Sequence, residues 1–417
     1  MNRRQFIAGA GVSLAAGAGA AWWGLDWWPD RGLRNPCLAP ALPNHLARHP
    51  VVTEALAGLD TGKVWDCHVH LVGTGHSDPE QLWVNPSLDG LWHPFQYLQK
   101  RIYMNAACVD DPDRGDSAFI ERLDALVRAT GLKRPMLLAF DYNHNVQGHR
   151  RPEFSTFFVS NRYTQAVAAA HPGWEWICSV HPYRTDAIDA LQWAVEHGAR
   201  AVKWLPPAMG MDPASPRCDR FYAALRHLEL PLLTHGGHEL AAVGGGHQEY
   251  GDPRRLRRAL DRGVRVIVAH CASFGDVIDI RQQKPPKSML RNFRAFMDMM
   301  REPEYADLLY GDLSAITQIN RAPEALRALL EAGDLHHRLL NGSDYPLVGI
   351  VPLFSLRQLR RLGLIDGTVS GVVAELQRHN PLLFDLVLKR SLRWNGHRFS
   401  KQVFETSDFF TARDAKS

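Results

Sequence analysis

Four histidines, a lysine and an aspartate stand where short apolar runs end. His68 and His70 close the first run, Lys203 the fourth, His235 the fifth, His270 the sixth and Asp344 the eighth. Neutral imidazoles and a carboxylate form a donor set for zinc or another divalent metal, with room left for water. Residues two apart in a strand point the same way, so His68 and His70 can grip one ion from a single strand. The His-x-His triplet says little by itself: with twenty histidines in 417 residues, chance supplies about one, and the chain has one. The placement of all six residues at run ends carries the argument.

The runs that must position them are Val64–His70, Pro135–Tyr142, Trp174–His181, Ala199–Leu205, Leu230–His235, Val264–His270, Leu308–Ser314 and Arg338–Asp344. Each has strand length and nearly continuous apolar character, as expected of strands buried on both faces. Amphipathic stretches of helical period lie between them, at Thr185–His197, Arg217–Leu228, Pro253–Arg262 and Pro323–Ala332. Gly198, Gly263 and Gly333 are placed to stop helices. Eight such units predict an α/β fold. It is a single-domain (β/α)8 TIM barrel over residues 62–395, with insertions after strand 1 (71–134) and strand 6 (272–307). In that architecture the C-terminal strand ends form the active-site face.

The order of these motifs resembles the amidohydrolase superfamily, and within it the amidohydrolase-related family (family 2), which also holds metal-dependent decarboxylases. The matching segments are Val-Trp-Asp66-Cys-His68-Val-His70, Ala-Val-Lys203-Trp-Leu-Pro-Pro, Leu-Leu-Thr-His235-Gly, Val-Ile-Val-Ala-His270-Cys and Asn-Gly-Ser-Asp344-Tyr-Pro. The resemblance implies that His68, His70, His235 and Asp344 hold the metal, with Asp344 also accepting a proton from water. It implies that His270 is a general acid/base beside one ion, or with Lys203 a ligand of a second. Lys203 is either carboxylated between two ions or a support for an anionic substrate. The implied cofactor is a divalent metal, zinc foremost, as one or two ions, with no organic cofactor site. The expected activity is hydrolysis of a carbonyl-type carbon (amide, lactone or ester) of a small molecule by metal-activated water. The alternatives are a decarboxylase of the same superfamily and a barrel that only binds.

Other residues have weaker expectations. Asp66 is a candidate second partner for a ligating imidazole, or a brace for its strand. Asp312, His181 and His238 could line the pocket, and His336-His337 read as solvated. Cys67, Cys178 and Cys271 read as buried free thiols, while an even count of six cysteines permits disulfides.

Composition bounds the rest. The chain is 45% hydrophobic and 22% charged, which excludes a disordered polymer and a polytopic membrane protein. A net charge of +4 is too balanced for a nucleic-acid binder working by charge. Arg3-Arg4 precedes an uncharged, Gly/Ala-rich stretch over residues 6–25. This resembles a twin-arginine export signal, and Trp22, Trp23, Trp27 and Trp28 would suit an uncleaved interface anchor. The division expected is a signal or signal anchor at 1–30, an N-terminal arm at 31–61, the barrel at 62–395 and a C-terminal tail at 396–417. The site would face the periplasm, with membrane contact only through a retained anchor.

Overall fold

Apolar runs with no polar face can be satisfied only by burial from both sides, and the computed structural model places all eight in one closed ring. It describes residues 32–90, 92–111, 113–131, 134–242, 244–278, 289–321, 323–412 and 414. The strands are β1 (Trp65–His70), β2 (Arg134–Leu138), β3 (Glu175–Ile177), β4 (Val202–Trp204), β5 (Leu232–His235), β6 (Val266–Ala269), β7 (Leu309–Asp312) and β8 (Leu339–Leu340). Neighbours pair in parallel in chain order, from β1 to β3 and from β4 to β8. Parallel bridges Cys178↔Val202 and Val69↔Tyr345 close the two remaining seams. The result is the predicted (β/α)8 barrel.

Trp65, Met136, Leu138, Ile177, Leu233 and Ile267 help fill the barrel interior. Phe410 stacks on Trp65 with the rings 6.4 Å apart, so the C-terminal segment closes the end of the barrel away from the candidate site. Cys67 belongs to this interior layer, while His68, the next residue, belongs to the polar layer above it. Strict alternation would separate them. The pairing of β1 with β2 shifts register between Asp66 and Val69, and such an irregularity re-aims a side chain.

Helices fall between the strands, among them Ala187–Glu196, Asp219–His227, Asn292–Met300 and Pro323–Glu331. Gly198 and Gly263 take the left-handed backbone of helix ends, at φ +84° and +77°. Gly333 does not; it opens a 3-10 turn, Gly333–Arg338. The excursion after β1 carries the helices Pro94–Ala107 and Gly115–Thr130, and the one after β6 carries an antiparallel pair, Asp276–Ile278 with Met289–Arg291. A third excursion, after β2, supplies Phe157–Val159, which pairs with Leu82–Val84.

Cys37 and Cys108 form a disulfide that ties the N-terminal arm to the end of the helix Pro94–Ala107. Cys67, Cys178 and Cys271 are buried free thiols as expected, and Cys218 is a fourth. No helix among the described residues is long and apolar enough to cross a membrane. The arginine pair and the uncharged stretch after it lie outside the described residues.

Candidate metal centre

The strand ends bring His68, His70, Lys203, His270, Asp312 and Asp344 together in a layer that is buried except for part of His70. The His68 Nε2 and His70 Nε2 lie 3.5 and 3.2 Å from Asp344 Oδ1. Two compact groups have donor atoms within 4.8 Å of one another: His68–His70–Asp344 and His68–His270–Asp312. Lys203 Nζ is 2.9 Å from His68 Nε2. His235 stands alongside, its ring centroid 5.2 Å from that of His270. Its Nε2 donates to the His238 carbonyl (3.1 Å), and its Nδ1 lies 3.4 Å from Glu239.

Asp312 organises the layer. Its Oδ2 accepts from His68 Nδ1 at 2.8 Å, and its Oδ1 accepts from the backbone N–H groups of His270 and Ser314, each at 2.9 Å. The Ser314 hydroxyl also donates to Oδ1. His270 Nδ1 is 2.9 Å from the Ser314 carbonyl, to which it donates. Both imidazoles are therefore held with Nδ1 protonated, leaving each Nε2 lone pair for the interior. Ligating histidines are oriented in just this manner by an outer acceptor. Asp66 does not serve here. Its carboxylate accepts from the backbone N–H groups of His68 and Ser343, bracing β1 against the loop after β8.

The backbone is also strained where the chemistry sits. His270, Cys271 and Ala272 all have positive φ (57°, 48° and 49°), and Asp344 has φ 63°. Left-handed backbone costs non-glycine residues about 1–2 kcal/mol each, and such strain collects at functional sites. Gly342 serves close packing instead: a Cβ there would lie 2.8 Å from His68 Cβ.

Electrostatics favour ligand-ready forms. Burial pushes the His70 imidazole below its ordinary range, His235 to about 3 and His270 well below. These rings are neutral at pH 7, the form that binds metal. Burial opposes the charge on Asp344 and Asp312, but the surrounding imidazoles outweigh it and hold both carboxyls below their usual range. Burial also lowers Lys203. Asp344 Oδ2 is buried and has no hydrogen-bond partner among the described residues. That orphaned oxygen, beside Nε2 atoms aimed inward, fits a site that receives a cation.

Removing the Asp312 hub should be costly. Asp312→Ala strands the His68 ring and two buried N–H groups, an expected loss of about 3–5 kcal/mol in urea unfolding. The folded carboxyl lies below its free value, so its contribution is present above about pH 4 and lost as pH falls. The variant should flatten the acid limb of the stability curve; an unchanged unfolding midpoint would refute the hub role.

One expected pocket residue lies elsewhere, and one residue expected to be solvated is buried. His181 belongs to a separate cluster at the ends of β2 and β3, with its ring 4.6 Å from that of His144 and its Nε2 donating to the Met209 carbonyl. Asp141 sits there too, ion-paired with Arg184 at 2.8 Å. His336 is buried and donates to the Leu329 carbonyl (2.9 Å), so only His337 of that pair is exposed. Sequence reasoning missed Glu239, Ser314 and Arg321. Ser314 follows Asp312 by two at a strand end and was findable; Arg321 sits in a loop with no periodic signal.

With this geometry in hand, the comparisons define the class. The amidohydrolase family model matches residues 65–349, and the chain belongs to that family. No curated protein matches it. Solved structures similar to it include an uncharacterized TIM-barrel protein from Bordetella bronchiseptica (16% identity, TM-score 0.44, covering 72% of this chain and 90% of that one). Another is a putative 2-pyrone-4,6-dicarboxylic acid hydrolase from Pseudomonas putida (16%, 0.44, 78% and 97%). A third is 5-carboxyvanillate decarboxylase from Sphingomonas paucimobilis (12%, 0.39, 76% and 98%). The family is one of enzymes that act on small molecules and typically bind a divalent metal.

Proposed function

We propose that the protein is a metal-dependent hydrolase acting on an amide, lactone or ester carbon of a small molecule. The observation that carries this is the buried Asp344 carboxylate, with one oxygen shared by His68 and His70 and the other unpartnered. His68, His70 and Asp344, joined by His235, would hold a divalent ion, zinc foremost; His270 and a carboxylated Lys203 would hold a second if two bind. When bound, the ion supplies Lewis acidity toward water and a carbonyl oxygen.

The chain's own residues do the rest. Asp344 takes the proton from the attacking water at Oδ2. His270, neutral and fixed through Ser314, presents an Nε2 lone pair that would take up that proton from Asp344 and pass it on to the leaving group. With one ion, Lys203 stays uncarboxylated, donates to His68 Nε2 and would steady an anionic group of the substrate. The test is a panel of esters, lactones and amides offered to zinc-loaded protein beside aromatic carboxylic acids. Hydrolysis of any of the first group, without release of carbon dioxide from the second, is expected. Carbon dioxide release alone would overturn the hydrolase reading in favour of the decarboxylase.

Export through the twin-arginine route is part of the same proposal. The Cys37–Cys108 disulfide supports it, since such bonds persist in oxidising compartments. Arg3→Lys with Arg4→Lys should leave folded protein in the cytoplasm; normal export of that variant in cell fractionation would refute the route.

A further inference from the structure

Arg321, in the loop that follows β7, is the one charged group around the centre without an assignment above. Its Nε and Nη1 are shut off from solvent and have no hydrogen-bond partner among the described residues. Among the described residues no carboxylate comes within 4.0 Å of it. Its guanidinium carbon lies 5.8 Å from the centre of the Phe274 ring. That ring packs edge-on against His238 at 6.1 Å, and the His238 carbonyl accepts from His235 Nε2, so Arg321 lies one layer from the centre and its charge bears on His235 and His270. Buried N–H groups are almost always paired, and leaving them unpaired is costly. Glu239 is already committed: it accepts from the backbone N–H groups of Ala241 and Ala242 and faces His235.

From these observations we infer that Arg321 is a specificity-determining residue that receives a carboxylate carried by the substrate, distal to the carbon that reacts. This deepens the hydrolase proposal and rests on it. The chemistry selects the anion. A guanidinium is planar, stays charged when buried, and presents paired N–H donors that match the two oxygens of a carboxylate. A phosphate dianion would call for more than one free cation, and the other one here, Lys203, is bound to His68. Phe274 offers an apolar face beside the guanidinium for the body of the ligand.

The test is calorimetric titration of zinc-loaded full-length protein with benzoate, isophthalate and glutarate, and with benzamide as the neutral control. The parent should bind at least one carboxylate and not the amide. Arg321→Met should weaken that binding about tenfold to a hundredfold, the range for hydrogen bonds to a charged group, with metal content unchanged. Arg321→Lys keeps the charge without the fork and should fall between. Parent-like carboxylate affinity in Arg321→Met would overturn the inference, because the anion would then sit on the metal alone. So would a metal-loaded parent that binds none of the three, or binds benzamide equally well. A parent that takes up no metal contradicts the hydrolase proposal instead, and the Arg321 comparison is then read on the metal-free protein.

Discussion

Replacing His68 and His70 together with alanine should leave a folded protein that retains no stoichiometric metal in elemental analysis. Both side chains come from one strand and meet the same Asp344 oxygen. Removing only an outer hydrogen-bond partner of a ligand typically costs about 10–100-fold in metal affinity; losing two ligands at once should cost far more. The His68 ring is fully buried and tied to Asp312, so some stability should be lost as well. Circular dichroism separates that loss from unfolding. Metal content equal to the parent's, in a folded variant, would dismiss these strand ends as the binding site.

Asp344→Asn should have the second largest effect, and on turnover more than on metal. Asparagine keeps an oxygen at the position that faces His68 and His70, but it cannot take up a proton. It is also the natural substitute for this backbone: Asp344 has φ 63°, and asparagine is among the few residues that tolerate the left-handed region. The variant should fold, hold much of its metal and turn over any identified substrate about 10²–10⁴-fold more slowly, as a missing general base does. Parent-like turnover with metal bound would remove the proton-accepting role.

The barrel was legible in the sequence because its strands are buried on both sides, which leaves unbroken apolar runs of the right length. The runs ending at His70 and His235 stop where their strands stop, but those ending at His270 and Asp344 outrun theirs, for a physical reason. At His270–Ala272 the chain leaves extended geometry for three left-handed residues, and at Asp344 it does so again. Chemistry-bearing side chains thus sit just past the strands, where local propensity gives no warning. Gly333 looked like a helix stop because glycine usually is one, yet here it opens a 3-10 turn.

The site was legible in its inward residues and obscure in its supports. His68, Lys203, His270 and Asp344 announce themselves by polar type at the end of an apolar run. Which acid orients His68 was not readable. Asp66 is two residues away but is spent on backbone N–H groups, while Asp312 reaches the ring from across the barrel, 244 residues later in the chain. Arg321 was hidden for a similar reason: its meaning lies in the absence of a partner, which only three-dimensional packing reveals. The Cys37–Cys108 bond joins residues 71 apart through a loop excursion that periodicity does not describe.

The central claim is that these strand ends form one metal centre, and anomalous diffraction at the zinc edge from crystals of zinc-loaded protein tests it most directly. The account predicts a strong peak enclosed by His68, His70, His235 and Asp344, with a second between Lys203 and His270 if two ions bind. A zinc-replete crystal whose peaks all lie elsewhere would contradict it.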